Sequence, residues 1–144
     1  MVVKTFRGLL ADGGQDQIHL GTIKGKVGYK IVKFQLMGYD VSAEDYENVV
    51  KIYKDSQSTI DGFVNFTNST LLAAGIWNSS GSSNVYPDDM TVIFDNEIFN
   101  QDIYITSKDT KTNSGMNYYI ELEVIPLTDQ GAEYTTLKDI RTQS

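Results

Sequence analysis

Apolar and polar residues alternate along this chain in short runs separated by turn-forming clusters, the pattern of half-buried β-strands. The strongest case is Tyr118 to Ile125, where Ile120, Leu122 and Val124 alternate with Glu121 and Glu123. A side-chain period of two makes one face of that strand apolar and gives the other carboxylates. Gly28 to Met37 repeats the pattern, with Val32, Phe34 and Leu36 alternating with Lys33 and Gln35. Further strands are predicted at Val2–Leu10, Gln15–Gly21, Thr59–Phe66, Leu71–Trp77, Met90–Asp95 and Asp102–Ser107. Asp12-Gly13-Gly14 joins the first two as a hairpin, because glycine reaches positive φ cheaply.

Other segments carry turn or mixed signals. Ser42 with Asp45 resembles a capping box and predicts a helical turn over Ala43–Tyr46. The β-branched run Val49-Val50-Lys51-Ile52-Tyr53 predicts a strand directly after it. Thr67-Asn68-Ser69-Thr70 reads as a turn and Asn78–Asp89 as a long loop. Pro126 either ends the last clear strand or marks it as an edge. Ala132–Ile140 reads as a final strand or an extended arm. About eight to ten short strands in one chain predict an all-β fold, an antiparallel β-sandwich of jelly-roll-like type. Val32/Phe34/Leu36, Ile103/Ile105 and Ile120/Leu122/Val124 are expected to meet in one core between two sheets.

Length fits a single domain over residues 1–144, with extended arms expected at 1–7 and 128–144. A chain of 144 residues buries roughly two thirds of its unfolded surface and folds without metal or disulfide. The net charge of −7 argues against a general nucleic-acid binder, which must neutralise phosphates, and against docking on anionic membranes. Lys24, Lys26, Lys30 and Lys33 form the only dense cationic stretch. No run approaches the ~20 apolar residues of a membrane span. Met1 to Arg7 lacks the apolar core of a signal peptide, so synthesis in the cytoplasm is expected. The triplets at Asn65, Asn68 and Asn78 match the glycosylation pattern, but without a signal peptide they read as chance in an Asn/Ser/Thr-rich chain.

Candidate chemistry is sparse. With no cysteine and a single histidine, thiol nucleophiles and the usual zinc sites are excluded. His19 shares the polar face with Gln17, opposite Ile18 and Leu20, and reads as a surface residue. Glu121 and Glu123 are the one carboxylate pair with a spacing that glycoside hydrolysis tolerates; alternating Glu on a wet strand face is the simpler reading. Asp12 with Asp16, and Asp88 with Asp89, are calcium candidates that read equally as turn formers. Tyr29, Tyr39, Tyr46, Tyr86, Tyr118 and Tyr119 suffice to line a sugar-binding face or a protein interface. Trp77, ending an apolar run, reads as core. No catalytic residue, cofactor or metal is assigned, and the chain is expected to act by binding.

Three phrases add a resemblance. They are Gly8–Leu20 leading into Gly28–Met37, then Thr91–Ile105, then Asn117–Glu123 followed by Thr136–Arg141. Together they resemble small structural virion proteins of marine tailed bacteriophages. The resemblance implies a capsid decoration, or cement, protein that binds the major capsid protein on the outer shell and forms a dimer or trimer. Its implied place is the virion, on the capsid surface, after synthesis in the host cytoplasm. An alternative from the same resemblance is a tail- or fibre-associated protein that binds host glycans; a carbohydrate-active enzyme is a third reading. For capsid attachment the candidate interface residues are Val3 and Phe6 at one end and Tyr134, Leu137 and Ile140 at the other. Terminal segments can bridge to a neighbour without disturbing a core.

Overall fold

A computed structural model describes residues 2–20, 27–39, 46–79, 89–110 and 115–127. Eight strands follow in order: β1 (Val2–Leu10), β2 (Gln15–Ile18), β3 (Val27–Gly38), β4 (Tyr46–Tyr53), β5 (Leu71–Ser79), β6 (Asp89–Phe94), β7 (Ile103–Asp109) and β8 (Met116–Pro126). They form two antiparallel sheets, β1-β8-β3 and β2-β7-β4-β5-β6. No helix occurs among the described residues, so none there is long and apolar enough to cross a membrane. The fold is the expected all-β sandwich.

The alternation of β8 builds the smaller sheet. Met116, Tyr118, Ile120 and Leu122 point inward and are buried. Asn117, Tyr119, Glu121 and Glu123 point outward. Pro126 is the last residue of β8, which is the central strand, so the proline stops the strand rather than marking an edge. Ile31, Phe34 and Leu36 of β3 join the inner face from one side. Opposite them lie Val50 and Ile52 of β4, Ile103 and Ile105 of β7, and Leu72 and Ala73 of β5. Packing is tight where β3 crosses β5: a Cβ on Gly75 would stand 2.7 Å from Leu36 Cδ1.

Four expectations are revised. Asp12-Gly13-Gly14 is a turn, with Gly13 at φ 73°, but it does not close a hairpin. β1 pairs with β8 along its length and β2 pairs with β7, so the turn carries the chain from one sheet to the other. The reason lies in its partners. The Gly13 amide donates to the Ser107 carbonyl and the Ser107 amide donates to the Gly14 carbonyl, which ties the turn to β7. The second revision concerns Val32. A bulge between Ile31 and Lys33 shifts the register, so Tyr29 and Ile31 are core residues and Val32 is only half-buried. Third, Thr59–Phe66 is not a strand. Side-chain bonds replace a ladder there: the Thr67 amide donates to Asn65 Oδ1 (3.0 Å) and the Thr70 amide to Asn68 Oδ1 (2.9 Å). Fourth, β2 ends at Ile18. Ala43–Asp45, most of the loop between β5 and β6, and Ala132–Ile140 lie outside the described residues.

Residues 2–7 belong to β1, paired with β8 from Val2↔Val124 onward. Leu122 has no exposed surface, so Leu122→Ala should lower unfolding free energy by about 2–5 kcal/mol. Val32→Ala at the bulge should cost less than about 1.5 kcal/mol, and Ile31→Ala clearly more. Urea titrations of the three variants check this order.

Candidate functional site

The catalytic candidates do not converge. The His19 side chain is 78% exposed, with Ile18 and Leu20 buried on either side as its place in the alternation requires. Its Nδ1 lies 3.3 Å from Asp102 Oδ2. The same carboxylate accepts from the Leu20 amide (2.7 Å) and from Gln17 Nε2 (2.8 Å). Asp102 thus braces the chain after β2, and His19 sits at the margin of that cluster. Glu121 accepts a 2.7 Å hydrogen bond from the Tyr119 hydroxyl, and Glu123 lies 3.9 Å from Lys30 Nζ. The Glu121 carboxylate raises the Tyr119 hydroxyl above its ordinary pKa by stabilising the bonded proton.

The calcium candidates are engaged elsewhere. Asp12 accepts from the Asp109 amide at 2.7 Å and lies 3.5 Å from Lys108 Nζ. Asp16 points inward and accepts from the Tyr118 hydroxyl at 3.0 Å. Burial, and then that bond, push the Tyr118 hydroxyl well above its usual pKa. Among the described residues no three His, Asp or Glu side chains come together to hold a metal. Asp88 lies outside the described residues.

The tyrosines divide between faces. Tyr29 is core, with its ring centroid 6.4 Å from that of Phe99, and Tyr118 is core as well. Tyr119 stands on the outer face of the smaller sheet and Tyr39 is exposed just beyond β3. Trp77 is half-buried and packs against the core. Tyr86 is outside the described residues. Of the candidate interface residues, Val3 and Phe6 are half-buried in β1, an edge strand. Tyr134, Leu137 and Ile140 lie outside the described residues.

Two surface features emerge that periodicity did not reveal. The first is on the outer face of the larger sheet. Segment 54–70 is anchored beside Lys51, whose side chain is 4% exposed. Its ammonium donates to Asp61 Oδ1 (2.9 Å) and to the Phe63 carbonyl (2.6 Å) and sits 5.5 Å from the Tyr53 ring. Burial alone would lower the Lys51 pKa, but Tyr53 and Asp61 outweigh it and raise it. Lys51 in turn holds the Asp61 carboxyl below its usual value. Around this anchor Phe63, Phe66, Ile76 and Ile93 are all exposed. Among the described residues β6 beside them has a partner only on its β5 side. The second feature is a cleft of about 810 Å3 on the smaller sheet. Arg7, Leu9, Gln35, Met37, Asn117 and Tyr119 line it from outward positions, and Val92 of β6 also borders it.

Asp61, with a depressed pKa, contributes stability present above the ordinary carboxyl value of 3.8 and lost as pH falls through its lower folded value. Lys51, with a raised pKa, contributes stability present below 10.5 and lost as pH rises through its higher folded value. Asp61 is 44% exposed, so Asp61→Asn should cost no more than about 1 kcal/mol at pH 7. Its melting temperature should approach that of the wild type as the pH is lowered below 3.8, the outcome to be read by calorimetry across pH. His19→Ala should stay within about 0.5 kcal/mol of wild type, whereas Asp102→Ala should cost about 1–3 kcal/mol, because it strips the Leu20 amide of its acceptor. Chemical denaturation of the pair checks this contrast.

Comparison with known proteins adds no family: no protein-family model matches the chain, and no curated protein matches it.

Proposed function

We propose that this chain is a non-enzymatic structural protein of a virion, a decoration protein that binds the major capsid protein on the outer shell and braces it as a dimer or trimer. The observation that carries the reading is the sheet order. A jelly roll folds a long hairpin so that strands 1 and 8, 2 and 7, 3 and 6, and 4 and 5 pair, a plan frequent in viral capsid proteins. Here β1 pairs with β8, β2 with β7 and β4 with β5, and β8–β3 and β7–β4 complete the sheets. Only β3–β6 is absent, and β6 joins β5 instead. We read the fold as a jelly roll opened at that seam.

The opening supports binding by strand addition. Among the described residues β6 has a free edge, as do β1 and most of β3. Ile93 and Phe94, exposed on opposite faces of β6, are apolar where isolated soluble domains usually place charge. A partner strand added to β6 would satisfy its free amides and carbonyls and cover Ile93 together with Phe66. Val3 and Phe6 on the β1 edge offer a second contact of the same kind, and Tyr134, Leu137 and Ile140 a third. A protein that binds only the assembled shell stabilises that state by mass action.

The test is co-sedimentation of the purified chain with undecorated shells of the phage that encodes it. Wild type should bind to a fixed copy number per shell. Ile93→Lys should bind at least about tenfold more weakly with an unchanged melting temperature, because a buried unpaired charge at an interface costs more than the ~1.4 kcal/mol that tenfold represents. Deleting residues 135–144 should also lower binding. Wild-type protein that fails to pellet with shells would overturn the reading.

A further inference from the structure

Charges on the outer face of the smaller sheet balance row by row, except one. β1, β8 and β3 lie side by side, so residues in register form rows across the face. One row is Thr5–Glu121–Lys33, and Lys30 stands beside Glu123 in the next. Each carboxylate therefore has a lysine at cross-strand distance. The next row toward the other end is Arg7–Tyr119–Gln35, where the cation has only neutral neighbours. Beyond it comes Leu9–Asn117–Met37. The face thus carries a surplus positive charge at Arg7, on a chain whose net charge is −7.

These last two rows line the 810 Å3 cleft. Gly8, Phe34, Leu36, Tyr118 and Val92 line it as well; Phe34, Leu36 and Tyr118 are buried, and an added Cβ at Gly8 would lie 2.7 Å from the Tyr118 hydroxyl oxygen. The cleft's groups are poised. The Tyr119 hydroxyl is pinned on Glu121, which fixes its ring. Among the described residues the side chains of Arg7, Gln35 and Asn117 have no hydrogen-bond or ion-pair partner, and Arg7 and Gln35 are exposed. Leu9 and Met37 are 48% and 60% exposed at the two sides.

We propose that this cleft binds an acidic saccharide, a sugar bearing a carboxylate. Two rows spanning three strands cover about 10 Å by 7 Å, the footprint of one or two pyranose rings. The guanidinium of Arg7 takes the carboxylate through its paired N–H donors. The fixed Tyr119 ring, with Leu9 or Met37, meets the apolar C–H face of the sugar. The two free amides, which both donate and accept, exchange hydrogen bonds with ring hydroxyls. The Glu121 carboxylate is engaged by the Tyr119 hydroxyl and stands in register with Lys33, and Glu123 lies beside Lys30, so both carboxylates are balanced locally. The proposal stands apart from capsid binding, since it uses another face and a different class of ligand.

The experiment is a titration of the full chain with glucuronate, and separately with methyl glucoside as the neutral control, followed by amide NMR shifts. Glucuronate should shift the signals of Arg7, Asn117 and Tyr119 with a Kd on the order of 1 mM, and methyl glucoside should bind at least about tenfold more weakly. Raising the salt concentration should weaken glucuronate binding alone. Arg7→Gln, at an exposed position outside the core, should melt like wild type and bind the two sugars equally. Three outcomes each overturn the proposal: no shift with about 50 mM glucuronate, equal binding of the two sugars by wild type, or a preference for glucuronate retained by Arg7→Gln.

Discussion

The smaller sheet depends on one strand. Among the described residues β1 and β3 join only through β8, so the sheet does not form until Met116–Pro126 takes its place between them. β8 meets this demand on both edges and both faces. Its ladders run antiparallel on each side, its inner residues fill the core, and its outer residues Asn117, Tyr119, Glu121 and Glu123 are polar or charged. The partner of Val2 is Val124, near the other end of the described chain. Closing the sheet therefore requires long-range pairing, whose loop entropy must be met before its contacts form. A change that breaks the β8 alternation removes both neighbours at once, so its effect should spread through the whole sandwich rather than fray one edge.

Much of this was legible in the sequence, and the reasons differ by element. β1, β5 and β8 were placed within a residue or two because their periodicity is set by burial on one face, which sequence records directly. The β3 register was half legible. Alternation is a relative signal, and an inserted residue at Val32 reverses its parity without altering local composition. The turn at Asp12-Gly13-Gly14 was legible as a reversal, but its plane was not, because the bonds that set it come from Ser107, far along the chain. Thr59–Phe66 misled for a related reason. Its apolar residues suggest a strand, whereas Asn65, Asn68 and the Asp61–Lys51 pair offer the backbone other partners.

The candidate sites were less legible still. His19 and the Glu121/Glu123 pair draw attention as residue types, yet they turn out to be surface groups, each beside a partner of its own. Arg7 and Lys51 are ordinary cations in the sequence, and their roles come from pairing. Lys51 becomes an anchor because segment 54–70 brings Asp61 and the Phe63 carbonyl to its ammonium. Arg7 becomes a surplus charge because the register sets it against Tyr119 while Lys33 faces Glu121. No local pattern encodes cross-strand register between strands so far apart along the chain, and that register decides which charges cancel.

The same dependence explains why β6 is the open end of the fold. A strand stays in a sheet when both ladder bonds and side-chain burial favour it. Among the described residues β6 has ladder bonds on one side only, and Thr91, Ile93 and Phe94 are exposed. The opposing sheet ends at β3, so three strands face five. Phe94 is exposed although it stands in register with Ala73, a core residue. Among the described residues a strand in that position is held in its sheet by the ladder to β5, and it gains from any neighbour that completes its second ladder. A domain closed by β3–β6 pairing would have no such edge to offer there. Among the described residues the second edge of β6 is unpaired, and it gives one direction from which a partner can add to the larger sheet.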